Sequence, residues 1–218
     1  MATNKDTENN NPSAPVPADN DITMLTMVTK QNWDEAIKDE SGVLYSKDGK
    51  RLLERPDFVS NYNIKEGTEI IGDSAFSWCK SLTSITVPPS VTAIGNRAFF
   101  NCECLTSITI PPSVNTIGDF AFSGCESLTS ITIPPSVTSI GRKAFSECYR
   151  LASITIPPSV TTIGDYAFYA CKGLTSIAIP PSVTTIGDYA FSGCLNLDAI
   201  TKSEIHRRFG EKVFESPY

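Results

Sequence analysis

The sequence predicts a repeat solenoid, rich in short parallel strands and closed by helical or 3₁₀ turns. Three observations predict it. Ile-Gly recurs at Ile71-Gly72, Ile94-Gly95, Ile117-Gly118, Ile140-Gly141, Ile163-Gly164 and Ile186-Gly187, a constant step of 23 residues. An Ala-Phe column (Phe76, Phe99, Phe122, Phe145, Phe168, Phe191) and a cysteine column (Cys79, Cys102, Cys125, Cys148, Cys171, Cys194) keep the same phase. No insertion interrupts six units, and Leu82, Leu105, Leu128, Leu151, Leu174 and Leu197 follow in register. Equal units on one axis bury a continuous apolar column that no single unit could bury alone. A propeller blade needs about 40–50 residues, so this period is too short for one.

Each element of a coil follows from local chemistry. In Leu128-Thr-Ser-Ile131-Thr-Ile133 the apolar residues alternate at the end, which is strand periodicity with Ile131 and Ile133 inward. Pro134-Pro135 stops the strand, because proline cannot donate to a ladder. Val137 to Ile140 is a second, shorter extended piece, ended by Gly141. The Asp119–Cys125 segment is one helical or 3₁₀ turn with Asp119 as N-cap. That capping column runs Asp73, Asn96, Asp119, Arg142, Asp165, Asp188, and Arg142 breaks it.

The period falls in the window of roughly 20–29 residues typical of leucine-rich repeats. The unit Ile-Gly-x-x-Ala-Phe-x-x-Cys-x-x-Leu-x-x-Ile-x-Ile-Pro closely resembles the BspA-like, Treponema-type class over about residues 42–202. The resemblance implies a right-handed superhelix with one parallel sheet per face. It also implies roles in attachment and protein recognition, often at a cell surface, and no catalytic residues. Residues 71–202 are the six repeats.

The ends depart from the repeat. Residues 1–20 hold five Asn, three Pro and no aromatic, a disordered composition. Residues 21–41 either cover the first coil or form a separate docking piece, with a helix opening at Asn32. Residues 42–70 are a cap: a hairpin around Asp48-Gly49, then a half coil from Ile64 to Ile71 that aligns with Val87 to Ile94. Residues 203–218 hold a cap helix with Ser203 as N-cap, Ile205 and Phe209 as an i,i+4 pair, and Gly210 as terminator.

Composition narrows function. The net charge is −6, of which −5 falls on residues 1–41. A nearly neutral body carries no electrostatic footprint for nucleic acid. No stretch is long and apolar enough for membrane insertion, and the amino terminus lacks an export-type apolar region. That absence favours a cytoplasmic location, with secretion or the cell surface as the alternative the resemblance implies. With His206 the lone histidine, and placed in the cap helix, most hydrolytic triads and His-rich metal sites are out, so no enzyme and no cofactor is expected. The six phased cysteines lack metal-ligand clustering. At about 5 Å apart in a stack they do not by themselves exclude a disulfide, but an inward small hydrophobe in each coil explains them. Cys104 lies off the column in a polar position.

Two surfaces could bind a partner. Variable columns carry Phe100, Phe120, Arg142, Lys143, Tyr149, Arg150, Tyr166, Tyr169 and Tyr189, residue types enriched in protein contacts. They serve either packing between turns or a protein partner. The pairs Ser84/Thr86, Ser107/Thr109, Ser130/Thr132 and Ser153/Thr155 point outward by strand alternation. That ladder could bind an ordered surface such as ice or a glycan, or simply suit a solvated strand. A structural role, with rods stacking end to end, is a further alternative.

Overall fold

The structure is a computed structural model that describes residues 25–55 and 58–216. It is a solenoid of about six turns. A coil contributes a three-residue strand and a two-residue strand, on two faces, through the fourth repeat. The first kind comprises β4 (Asn61–Asn63), β6 (Ser84–Thr86), β8 (Ser107–Thr109), β10 (Ser130–Thr132) and β12 (Ser153–Thr155). The second comprises β5 (Ile70–Ile71), β7 (Ala93–Ile94), β9 (Thr116–Ile117), β11 (Ser139–Ile140), β13 (Thr162–Ile163) and β14 (Thr185–Ile186). Paired strands are parallel, and register joins residue i to i+23 between full coils, as in Ile85 with Ile108 and Ile140 with Ile163. Every three-residue strand is exposed–buried–exposed. Ile131 and Ile133 are buried as the alternation requires. Ser176–Ala178 of the fifth coil is not a strand. Both sheets are interrupted between the same two coils, at β8/β10 and β9/β11.

The six column phenylalanines form one stack, with centroids 5.2–5.7 Å apart and ring planes within 17° of parallel. Each is fully or almost fully buried. The spacing exceeds the ~4.8 Å coil rise, so the rings stack with an offset, which suits their quadrupoles. The column cysteines are buried free thiols. Each of the last five donates to the phenylalanine carbonyl of the coil before it, at 3.0–3.2 Å. The cysteine column therefore adds a side-chain seam to its apolar packing.

The Asp119–Cys125 segment is neither a helix nor a 3₁₀ turn, which corrects the expectation. Its amides alternate between two kinds of partner. Ala121, Ser123 and Cys125 donate within the coil, to Gly118, Phe120 and Phe122. Phe120, Phe122 and Gly124 donate to Arg142, Ala144 and Ser146 of the next coil. A helix would keep all these bonds local. The alternation instead demands left-handed backbone at two positions per coil: Phe120 has φ 57° and Gly124 φ 74°. Among the described residues ten non-glycine residues accept this conformation, all in these two columns. The cost of each is offset by bonds that lock neighbouring coils together. This third face has unbroken bonds where both sheets are interrupted.

The Asp column is also not a set of N-caps. Asp73, Asn96, Asp119 and Asp165 each accept the backbone N–H of the residue 23 positions later, at 2.8–3.0 Å. Arginine has no acceptor, so Arg142 cannot supply the rung toward Asp165. The adjoining glycines are needed for this approach. A Cβ on Gly118 would stand 2.6 Å from the Asn96 nitrogen and 2.7 Å from the Gly95 carbonyl carbon.

At the amino end the expected hairpin is present, β2 (Leu44–Tyr45) against β3 (Arg51–Glu54), and an extra edge strand β1 (Ile37–Lys38) joins it. Strand β3 pairs in parallel with β5, so the hairpin continues the sheet. The half coil is completed by β4, whose Tyr62 lies in register with Ile85. Residues 25–28 cover the first coil. Thr26 is fully buried, and its carbonyl accepts the Asp73 N–H at 3.1 Å, replacing the missing side-chain rung. Helix α1 (Lys30–Asp34) is capped by Thr29 in a capping box, three residues earlier than the expected opening at Asn32. The expectation for residues 1–20 lies outside the described residues.

At the carboxyl end, helix α2 (Ala199–Phe209) starts five residues before the expected position. Asp198, not Ser203, is its N-cap, accepting the Thr201 N–H at 2.8 Å, and Gly210 ends it. Arg208 donates to the carbonyls of Ile179, Pro180 and Val183, which no further coil could satisfy. Tyr189 and Phe191 donate to Lys212 and Val213, and the Phe214 ring extends the aromatic stack at 6.0 Å.

Candidate recognition surface

The left-handed column beside the Asp rungs reads Ser74, Arg97, Phe120, Lys143, Tyr166, Tyr189. Positive φ turns these side chains onto one line along the third face. Phe120 lies under Arg97 at 5.0 Å, Lys143 at 5.6 Å and Arg142 at 5.7 Å. Lys143 also sits 4.9 Å from the Tyr166 ring. Tyr166 meets Tyr189 at 5.0 Å and Tyr169 edge-on at 5.8 Å. Phe100 stands edge-on to Phe120 at 6.5 Å and to Trp78 at 5.5 Å. The expected partner residues Phe100, Phe120, Arg142, Lys143, Tyr166, Tyr169 and Tyr189 are thus one continuous cation–aromatic strip. Phe100, Phe120, Lys143, Tyr166, Tyr169 and Tyr189 are half-buried. Phe100, Phe120, Tyr166 and Tyr189 each touch a neighbour in the adjoining coil, Tyr169 touches Tyr166 of its own coil, and all five keep part of their surface in water.

Tyr149 and Arg150 are set apart. The Tyr149 hydroxyl donates to Glu147 at 3.2 Å, and Lys172 covers its ring at 4.7 Å. Burial, then the nearby Glu147 charge, pushes the Tyr149 phenol up. Arg150 is exposed. Sequence reasoning missed Arg97 and Trp78. Arg97 was available from its column, which alternates cation and aromatic from position 97 to position 166. Trp78, 55% exposed, shares the second left-handed column with Asn101 and Glu147.

The Ser/Thr ladder points outward as expected. Thr86, Ser107, Thr109, Ser130, Thr132, Ser153 and Thr155 are exposed, and their hydroxyls find no partner among the described residues. The adjacent Thr83, Thr106 and Thr129 differ, each donating to a carbonyl of the preceding coil. Asn61 extends the ladder by one rung and accepts the Ser84 hydroxyl at 2.6 Å.

Cys104 is exposed, whereas the column cysteines are buried. Burial pushes up the thiols of Cys79, Cys125, Cys148 and Cys171, and that of Cys194 to about 12. His206 is half exposed, 3.9 Å from Glu211. Among the described residues no group of three His, Cys, Asp or Glu side chains could hold a metal ion. Nor is any helix long and apolar enough to cross a membrane.

Comparison with known proteins agrees with this geometry. The model of the BspA-type leucine-rich repeat region matches in six copies, over residues 55–161 and 92–217. A leucine-rich cell surface protein from Faecalibacterium prausnitzii is 32% identical over 75% of this chain and 53% of its own, with a TM-score of 0.57. A leucine-rich repeat protein from Bacteroides ovatus is 28% identical over 73% of this chain and 48% of its own, with a TM-score of 0.53. The Treponema pallidum leucine-rich repeat protein is 25% identical over 79% of this chain and 91% of its own, with a TM-score of 0.55. The chain thus spans about half the length of the first two. No curated protein matches the chain in sequence. The repeat model alone covers most of the residues in which strands, rungs and stacked rings recur, and the chain belongs to the BspA-type leucine-rich repeat family.

Proposed function

We propose that this chain is a non-catalytic recognition scaffold whose third face binds a protein partner, with adhesion at a cell surface or after secretion as its setting. One observation carries the reading: an invariant core supports a strip of half-exposed rings and cations that changes from coil to coil. Tyr, Phe and Arg held rigidly lose little entropy on contact, which is what strong interface residues require. The cell-surface description of the Faecalibacterium structure supports the setting. The test is capture by the purified chain from surface extracts, compared with a variant carrying Phe120→Ser, Tyr166→Ser and Tyr189→Ser. The expected result is loss of captured protein from a variant with unchanged circular dichroism; unchanged capture overturns the surface assignment.

A second reading rests on the unpartnered hydroxyls of the Ser/Thr ladder. Two ranks of free hydroxyls at the ~4.8 Å coil rise offer a regular array to a glycan or to ordered water. Thermal hysteresis or a glycan-array signal that disappears in Thr109→Lys with Thr132→Lys supports it. Silence of the native chain in both assays ends it.

A further inference from the structure

One junction between coils lacks bonds that the others make. Gly95, Gly118, Gly164 and Gly187 each donate to the carbonyl of the isoleucine 24 residues earlier, at 2.8–2.9 Å. Among the described residues Gly141 makes no such bond to Ile117. Thr92, Asn115, Thr161 and Thr184 donate their N–H groups to the carbonyl 23 residues earlier at 2.8–3.0 Å, and the three threonines add their hydroxyls at 3.2–3.3 Å. Thr138 makes neither bond to Asn115. The backbones also stand further apart here. A Cβ on Gly141 would lie 3.1 Å from the Asp119 nitrogen and from the Gly118 carbonyl carbon. The corresponding distances at Gly95, Gly118, Gly164 and Gly187 are 2.4–2.9 Å. These gaps fall where β8 does not pair with β10, nor β9 with β11.

The column at this junction reads Thr92, Asn115, Thr138, Thr161, Thr184, so Asn115 stands where the other coils have threonine. Its side-chain oxygen accepts the Thr116 hydroxyl at 2.9 Å. Asparagine is depleted in strands because its side chain competes for local hydrogen bonds, whereas β-branched threonine suits extended backbone. On the sheet side Thr129 still reaches the Thr106 carbonyl, at 3.3 Å, and the Ser136 hydroxyl donates to Pro112 and Val114. The third face, by contrast, is fully bonded. Phe120, Phe122 and Gly124 donate to Arg142, Ala144 and Ser146 at 2.8 Å, and the Phe122 and Phe145 rings stack at 5.5 Å.

We propose that this junction is a hinge, set by Asn115: the sheet side opens and closes while the third face acts as the pivot. Opening there breaks few hydrogen bonds, which places it at the low-stability end of the fold. The pivot runs under the cation–aromatic strip. Phe120 belongs to one half of the rod, and Arg142 and Lys143, 5.7 and 5.6 Å from its ring, belong to the other. A partner that spans them holds both halves, so binding at the strip fixes the bend of the rod. That consequence rests on the recognition reading; the hinge itself is measured without a partner.

Amide hydrogen exchange of the full chain, resolved by NMR, tests the open junction. Thr138, Thr161 and Thr184 each follow valine, and Gly118, Gly141 and Gly164 each follow isoleucine, so intrinsic exchange rates match within each set. Thr138 and Gly141 are expected to exchange about tenfold or more faster than their counterparts. Phe122 and Gly124 should stay as protected as Phe145 and Glu147, which make the same bonds one coil later. Asn115→Thr is expected to remove the difference. Spin labels at Asn63→Cys and Thr155→Cys, in a Cys104→Ser background, report the motion. Both sites are exposed and lie four coils, or ~19 Å, apart across the junction. The expected distance distribution is broad and narrows in Asn115→Thr. Equal exchange at Thr138, Gly141 and their counterparts overturns the proposal. A distance distribution that Asn115→Thr leaves unchanged overturns it too. Neither result bears on the capture test of the aromatic residues.

Discussion

Thr68→Val should make the protein more stable. Thr68 is fully buried, and its hydroxyl has no hydrogen-bond partner. It occupies the column of Val91, Val114, Val137, Val160 and Val183, all buried. Valine replaces the hydroxyl with a methyl group of nearly the same size, in a site the other coils show to accept it. The Thr68 backbone stays engaged, its N–H with Lys65 and its carbonyl with Ser90. An unmet buried hydroxyl costs about 1–3 kcal/mol, so a gain of about 1–2 kcal/mol is expected. In a chain of this length that is a rise in Tm of roughly 2–8 °C. Urea unfolding should show a higher midpoint with an unchanged slope. Thr68→Ser keeps the hydroxyl, loses the methyl and should be less stable than wild type. If valine brings no gain, the hydroxyl is satisfied in solution and the accounting for this site is wrong.

Four further outcomes follow from the same structure. Ellman's reagent should modify Cys104 alone in the native protein, with the other six thiols reacting only after denaturation; early release of more than one equivalent contradicts the packed column. The buried thiols stay neutral in the fold and ionise once released, so stability is full below about pH 8.5 and declines as pH rises through and beyond the ordinary thiol value; a flat alkaline limb in urea titrations refutes this. Gly118→Ala should destabilise by about 1–3 kcal/mol, since its Cβ meets backbone that cannot move aside, and a neutral result would show the coils to be looser than drawn. Tyr62→Phe should cost about 1–3 kcal/mol in chemical denaturation. Its hydroxyl accepts from Tyr45 at 2.6 Å and donates to Asp39, fastening the cap to the first coil.

The 23-residue period was enough to identify the solenoid, because translation copies each inward side chain onto the next. Ile131, Phe122 and Cys125 could be placed without coordinates. What translation carries between coils was not legible. Asp119 looks like an N-cap because sequence patterns display neighbours three residues apart, whereas its acceptor serves Arg142, 23 residues on. The turn looked helical because nothing in Phe120 or Lys143 announces positive φ; the next coil imposes it. The sequence points to too late a start for the C-terminal helix because Ile200 aligns with the inward Ile177, yet it is 83% exposed on the helix. Of the cation–aromatic strip, the individual rings were visible. Their continuity was not, since it depends on which columns the left-handed backbone turns outward.

The seams between coils give this architecture an unequal tolerance of length. A spliced-out block of 23 residues leaves each interior donor facing an acceptor of the same kind, so the rod can shorten or grow in whole links. The two ends have no such spare. Thr26, Tyr62 and Arg208 each close a fitting that occurs once, and a chain that lost one would open from that end however many links remained in its middle.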